Sequence, residues 1–177
     1  ARLKDQSGKY HYIIAAEGLR VGSKIASNDE VALDTGNRLP LKNIAVGSNI
    51  YALELQPGRG AQIARSAGNG AQLIAKDENW AQVKLPSGEV RQVSVDCMAH
   101  VGTVGNAQHQ NIKIGKAGRN RKLGKRPSVR GVVMNAVDHP HGGGDGGRHR
   151  MAKAPRTPWG QKTLGYKTRR RKDNGNF

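Results

Sequence analysis

The sequence predicts an all-β protein, a small barrel followed by a long basic arm. Three observations carry that reading. Short alternating apolar runs recur about every ten residues between 50 and 95, separated by turn residues. No run of 12 or more residues has a helical apolar period. Charge is also concentrated in one part of the chain. Residues 106–177 hold 18 basic and 3 acidic side chains, against 12 and 10 in residues 1–105.

The elements follow in order. Lys9-Tyr10-His11-Tyr12-Ile13-Ile14-Ala15-Ala16 is a strand signal. One or two strands form no stable sheet alone, so this one must pair with the barrel, a partner or further chain. Residues 26–43, polar and holding Asp34-Thr35-Gly36-Asn37 and Pro40, read as a linker or long loop. The barrel signals begin at Ile50–Leu55. They continue through 62–65, Ala71–Lys76, Trp80–Leu85 and Val90–Val95, with turns at 57–60, 67–70, 76–79 and 86–89. In Trp80–Leu85, Trp80, Gln82 and Lys84 share one face and Ala81, Val83 and Leu85 the other. Five strands in so short a stretch favour a closed barrel over a sandwich.

The arm has a different composition. Only 18 of its 72 residues are hydrophobic, and 9 of these are Val, Ile, Leu or Phe, while 12 of the 72 are Gly. So little apolar surface cannot offset the conformational entropy of folding, and the arm is expected to be disordered by itself. The net charge of the 177-residue chain is +17, well above what a small soluble domain carries, and points to a polyanionic partner. No apolar run approaches the roughly 18 residues of a spanning helix. The single cysteine, Cys97, excludes an internal disulfide framework and a multi-thiolate metal site, and makes a reducing compartment the default.

Four groups of residues carry candidate chemistry. Arg59 and Arg65, with Ser66, stand beside Gly-rich turns, where guanidinium forks and open backbone N–H groups suit phosphate, although two solvated arginines would look the same. Lys113, Lys116, Arg119, Arg121, Lys122, Lys125 and Arg126 alternate with Gly115, Gly118 and Gly124, followed by Arg130. No apolar stripe accompanies them, so an extended cationic chain in an RNA groove is preferred to a membrane helix; a solvated run or localisation signal is the bland alternative. The segment from Met134 through Asn135 to Asp145 holds Asp138-His139-Pro140-His141-Gly142-Gly143-Gly144. It admits a metal site (Asp138, His139, His141, Asp145), an Asp138–His139 acid–base dyad, or a nucleic-acid-binding loop. Pro140 and three glycines make a poor metal scaffold, and sequence neighbours on extended chain point apart, so the binding loop is favoured. Trp159 has little core to enter and suits base stacking or cation–π contact; a small cluster with Leu164 and Tyr166 is the alternative. Lys167 stands beside Tyr166 as a further basic residue, and Arg169-Arg170-Arg171-Lys172 is a phosphate-binding run of low specificity.

Taken together, these segments resemble a known family. Arg59-Gly60 and Ala64-Arg65-Ser66-Ala67-Gly68, then Val104-Gly105-Asn106, Gly115-Lys116-Ala117-Gly118, Arg126-Pro127-Ser128-Val129-Arg130-Gly131, Asp138-His139-Pro140-His141-Gly142-Gly143-Gly144 and Thr157-Pro158-Trp159-Gly160 occur in the order and spacing of the large-ribosomal-subunit protein two family. The match runs from about residue 8 to 172. The second histidine resembles the bacterial and organellar branch. The resemblance implies a partial OB-fold segment, then a Src-homology-3-like barrel, then a long basic extended arm. It divides the chain into an OB remnant plus linker (1–43), a barrel (44–105) and an RNA-penetrating extension (106–177). It implies a non-enzymatic structural subunit that binds large-subunit RNA near the peptidyl-transferase region and supports assembly and subunit association. The implied partners are that RNA and neighbouring ribosomal proteins, with no membrane. No cofactor is implied beyond structural magnesium ions held by the RNA. The implied place is the ribosome of a bacterial cytoplasm, mitochondrion or plastid. Arg65 matches the family's RNA-contacting arginine, His139 its functionally sensitive histidine and Asp138 the acid before it. The family's N-terminal part has no counterpart here, which suggests a separate chain carrying it or a trimmed one. A metal-dependent hydrolase and a free-standing RNA chaperone are the competing functions; the first needs a bound ion, and the second uses only the charge.

Overall fold

A computed structural model describes residues 1–28, 32–144 and 154–166. The chain divides into two compact units, Ala1–Ile112 and Lys113–Phe177.

The first unit is built on a curled, antiparallel six-stranded sheet, a half-barrel. Its strands are β3 (Arg38–Pro40), β4 (Asn49–Tyr51), β5 (Ala71–Lys76), β6 (Trp80–Lys84), β7 (Val90–Ser94) and β8 (Met98–Val101), in the order β3-β8-β4-β5-β6-β7. The β5-β6-β7 meander follows from the sequence. Alternation along β6 buries Ala81 and Val83 and leaves Trp80 and Lys84 exposed, as the period-two pattern requires. A register shift between Leu73 and Ala75 bends β5 and helps the sheet curl. The inward faces supply Leu73, Val83, Val93, Ala99 and Ile50. Leu39, Leu41, Ile44 and Leu53 complete a core that is almost fully dry.

Three expectations are corrected. The 26–43 stretch is not a free linker. It carries β3, which pairs with β8, and the 3-10 turn Leu41–Asn43 that follows. Leu41 and Lys42 then donate backbone hydrogen bonds to Cys97 and Val95, drawing the sheet toward closure. The signal was missed because its buried side chains are few and Pro40 interrupts them; proline is tolerated here because β3 lies at the sheet edge. Buried Asn37 pins the preceding loop, accepting from the Ala26 N–H at 2.9 Å and donating to the Ala32 carbonyl at 3.0 Å. The strand expected over Ile50–Leu55 ends at Tyr51, because Ala52 turns left-handed at φ 49°. The run 62–65 is no strand; it makes one bridge, Leu53 to Ile63, before Ala64 reverses at φ 52°.

One charged side chain lies inside this core. Glu54 is 1% exposed and receives four donors: the Arg38 guanidinium at 2.8 Å and the backbone N–H groups of Gly60 (3.0 Å), Met98 (3.1 Å) and Gly58 (3.3 Å). A buried carboxylate is tolerable only with that degree of satisfaction. The core thiol of Cys97 is pushed up to about 11, first by burial and then by Glu54 and Asp96, so it stays protonated near neutrality.

His100 on β8 stacks on Tyr51 of β4 at 5.1 Å, and its Nδ1–H donates to the Gly36 carbonyl at 3.0 Å. Burial lowers its pKa from the ordinary 6.5, the Gly36 bond opposes that, and Arg38 adds to the lowering. The unfolded chain therefore takes up this proton before the folded one does. Stability from this residue is complete above 6.5 and is lost as pH falls from there through the lowered folded value. His100→Asn, which keeps a donor toward Gly36, should flatten that part of the curve of urea midpoint against pH.

The strand signal at 9–16 resolves into β2 (Tyr10–Tyr12), paired with β1 (Arg2–Lys4) in a two-stranded ribbon. Tyr10 and Tyr12 are exposed on it. Ala16 then bridges to Val104.

The second unit is of a different kind. Among the described residues every buried apolar side chain lies between Ala16 and Val104, and the second unit buries only His139. Its backbone is turns, one short helix α1 (Ala117–Lys122), a 3-10 turn at Gly131–Val133 and a small hairpin bridge between Arg156 and Lys162. The expectation of uniformly extended chain over 113–126 is therefore corrected. Local hydrogen bonding is enough to wind one helical turn and a half, even without an apolar face to bury.

Candidate nucleic-acid interface

In the first unit two exposed loops present arginine. The turn at 57–60 is held from beneath by Glu54, which takes the N–H groups of Gly58 and Gly60 on either side of Arg59. The Arg59 side chain is exposed, with one nitrogen 3.3 Å from Gln56 Oε1. The second loop starts at left-handed Ala64, whose carbonyl accepts the Ala52 N–H at 3.0 Å. Ser66 accepts the Asn69 N–H at 3.0 Å, and Gly68 donates to the Val104 carbonyl at 3.1 Å. A Cβ on Gly68 would stand 2.9 Å from Ala107 Cα, so only glycine lets the loop pack this closely. Arg65 and Ser66 sit exposed between these anchors.

In the second unit Lys113, Lys116, Arg119, Arg121, Lys122, Lys125, Arg126 and Arg130 are all exposed. Among the described residues none of these eight forms an ion pair, and no acidic residue occurs between Asp96 and Asp138. Their spacing is partly fixed. Helix α1 places Arg119, Arg121 and Lys122 in its last turn, where the backbone carbonyls favour cations. It ends in a Schellman motif: Lys125 N–H donates to Asn120 O at 3.0 Å, and Gly124 N–H to Arg121 O at 3.1 Å, with Gly124 at φ 85°. The outcome is a dense, unpaired cationic surface on a short ordered scaffold.

The histidine loop is a set of interlocked turns. The Asn135 carbonyl accepts from Asp138 N–H (3.0 Å) and His139 N–H (3.3 Å), and Gly142 N–H donates to the His139 carbonyl at 2.8 Å. The His139 ring is buried against Gly131, where a Cβ would meet it at 2.5 Å. His139 Nδ1 accepts the His141 backbone N–H at 3.0 Å, and the two rings lie 4.8 Å apart. His141 Nε2 in turn accepts the Arg156 backbone N–H at 2.9 Å. Both acceptor nitrogens are bare, so in the neutral rings the protons sit on His139 Nε2 and His141 Nδ1. These N–H groups are donors, suited to phosphate, ribose or base oxygens.

The structure brings His139 and His141 together and leaves Asp138 and Asn135 exposed beside them. Among the described residues no hydrogen bond joins the Asp138 carboxylate to either ring, which removes the support for a dyad. Among the described residues no three His, Cys, Asp or Glu side chains gather as a metal-binding group. Trp159 is 85% exposed, and Leu164 and Tyr166 are exposed as well, so no cluster forms around it. Lys167, Arg169, Arg170, Arg171 and Asp145 lie outside the described residues. Sequence reasoning missed Arg156, whose contribution is a backbone N–H that no side-chain motif announces. It also missed Glu54, which the sequence places only as one member of the Ile50–Leu55 run.

Gly142 likewise admits no side chain, since a Cβ there would fall within the Asn135 carbonyl. Gly142→Ala should open the loop at a cost of about 1–3 kcal/mol of local order. The expected result is faster hydrogen exchange at the His141 and Gly143 amides with an unchanged melting temperature for the sheet.

The features described converge on one class of protein. The family model described as Ribosomal Proteins L2, C-terminal domain, matches residues 34–160. That span begins just before β3, includes every strand of the six-stranded sheet, and runs through the cationic segment and the histidine loop to the Trp159 turn. The chain therefore belongs to the large-subunit ribosomal protein two family, through that family's C-terminal domain.

Proposed function

We propose that this chain is a structural constituent of the large ribosomal subunit that binds its RNA near the peptidyl-transferase region and supports assembly and subunit association. Family membership supports a ribosomal, RNA-binding role in translation. The observation that carries the finer reading is the second unit, with its eight exposed, unpaired cations and no buried apolar side chain among the described residues. A segment of that kind gains its lasting order from a polyanion, and RNA supplies one with a regular phosphate spacing. In this reading Arg59, Arg65 and Ser66 contact phosphate from the sheet unit. Lys113 to Arg130 and the run Lys167, Arg169, Arg170 and Arg171 follow the backbone of the RNA. Asn135, Asp138, His139 and His141 meet it at close range. In this reading residues 44–105 are the Src-homology-3-like barrel, and the remnant of the OB-fold with its linker lies ahead of it in 1–43.

The chain performs no chemistry of its own in this account. Among the described residues no helix is long and apolar enough to cross a membrane. Its place is the ribosome of a bacterial cytoplasm or an organelle, beside other ribosomal proteins. Co-sedimentation tests the assignment. The chain should remain with large subunits through washes in high salt, at one copy per particle. Release at moderate salt, with equal binding to any long RNA, would instead identify a free-standing RNA chaperone.

A further inference from the structure

The hairpin over residues 155–163 offers more than charge. Its arms are tied by polar bonds. The Pro155 carbonyl accepts both the N–H (3.0 Å) and the hydroxyl (3.2 Å) of Thr163. Thr157 N–H donates to Gln161 O at 2.8 Å, and Gly160 N–H to Thr157 O at 2.9 Å. The Arg156 guanidinium closes the tip by donating to Gly160 O at 2.8 Å. The side chain at that tip is Trp159, 85% exposed. A large aromatic ring held on a fixed turn, away from any core, gains its stabilisation only when another flat surface covers it. Arg156 and Lys162 flank the tip, and no acidic residue occurs between Asp145 and Asp173. The covering surface is therefore expected to be flat and to carry negative charge beside it, which describes a nucleotide whose base is not paired.

Arg156 also reaches in the other direction. Its backbone N–H fills His141 Nε2 at 2.9 Å, and His141 N–H fills His139 Nδ1 at 3.0 Å. One residue thus joins the histidine loop by its backbone and the Trp159 tip by its side chain. We propose that Trp159 is a stacking platform for one unpaired RNA base, and that Arg156 is the positioning residue that sets this platform in register with the His139-Pro140-His141 loop. The proposal rests on the RNA-binding reading and adds to it a ligand chemistry, a single-stranded nucleotide rather than duplex backbone.

The test uses the full chain carrying Trp80→Phe, so that Trp159 is the sole indole fluorophore. The probes are a ten-nucleotide single-stranded RNA and a blunt RNA duplex of equal length. The single strand should quench Trp159 fluorescence and the duplex should not. In the Trp80→Phe chain, further substitution of Trp159→Leu should weaken single-strand binding about tenfold with an unchanged salt slope, and Trp159→Phe should retain most of the affinity. With Trp159 intact, Arg156→Ala should lose most of the quenching, and Arg156→Lys, which still offers a donor to Gly160, should restore it. Equal, salt-dependent binding of both probes with no quenching overturns the stacking platform and leaves the RNA-binding reading standing. Quenching that survives Arg156→Ala overturns the positioning role. Failure to bind either probe at any salt overturns the reading beneath both.

Discussion

Glu54→Ala should unfold the six-stranded sheet at a markedly lower temperature than the parent chain. The carboxylate it removes is 1% exposed and is the acceptor for three backbone N–H groups, of Gly58, Gly60 and Met98, as well as for Arg38. Arg38 is 36% exposed and can turn to water, so the loss does not strand a charge. Gly58 is exposed and its N–H can also turn to water, whereas Gly60 and Met98 are half-buried, and each of their N–H groups left unsatisfied costs about 1–3 kcal/mol. A total of about 2–6 kcal/mol is expected from these two groups. For a sheet unit of this size that is a fall of about 8 °C or more in the melting temperature. Glu54→Gln keeps one acceptor oxygen and should cost less than Glu54→Ala, whereas Arg38→Met leaves the buried carboxylate without its cation and should cost about 3–5 kcal/mol. Circular dichroism melts of the three variants give the order. An unchanged melting temperature for Glu54→Ala would show that water reaches these N–H groups and that the carboxylate is not the organiser of the Arg59 turn.

Replacing Arg119, Arg121 and Lys122 with Gln should leave the sheet's melting temperature alone and weaken RNA binding about a hundredfold at 0.15 M salt. The magnitude follows from counterion release. Each neutralised phosphate contributes about 0.9 to the slope of log affinity against log salt, so the eight cations of 113–130 predict a slope near −7 and the five left in the triple variant one near −4.5. Helix α1 holds these three side chains in its last turn, and substitution there removes charge without removing any buried contact, because the helix buries nothing. A triple variant with the parental slope would place the phosphate contacts elsewhere.

Most of the sheet could be read from residues because period-two burial leaves a direct trace. Ala71–Lys76, Trp80–Lys84 and Val90–Ser94 alternate plainly and are strands. What was not legible depends on contacts distant in sequence. β3 is three residues with a proline, and β8 joins small Ala99 to polar His100; β3 becomes a strand only beside β8, and β8 only between β3 and β4. Ala52 and Ala64 turn left-handed without a glycine to announce it, and the paired reversals cut short one expected strand and abolish another. In the candidate site the charge and histidine motifs were visible as residue types. Their connection was not, because it runs through backbone N–H groups: His141 to His139, and Arg156 to His141. The helical turn at 117–122 also escaped notice, since a helix that buries no face has no apolar period to show.

Photochemical cross-linking of the full chain to large-subunit RNA, with the linked peptides identified by mass spectrometry, tests the central claim most directly. Cross-links are predicted in the Arg59 and Arg65–Ser66 loops, across 113–144 and at Trp159, with none on the outward face of β5, β6 and β7. Cross-links confined to that sheet face, or an arm that remains unlinked while the RNA is bound, would contradict it.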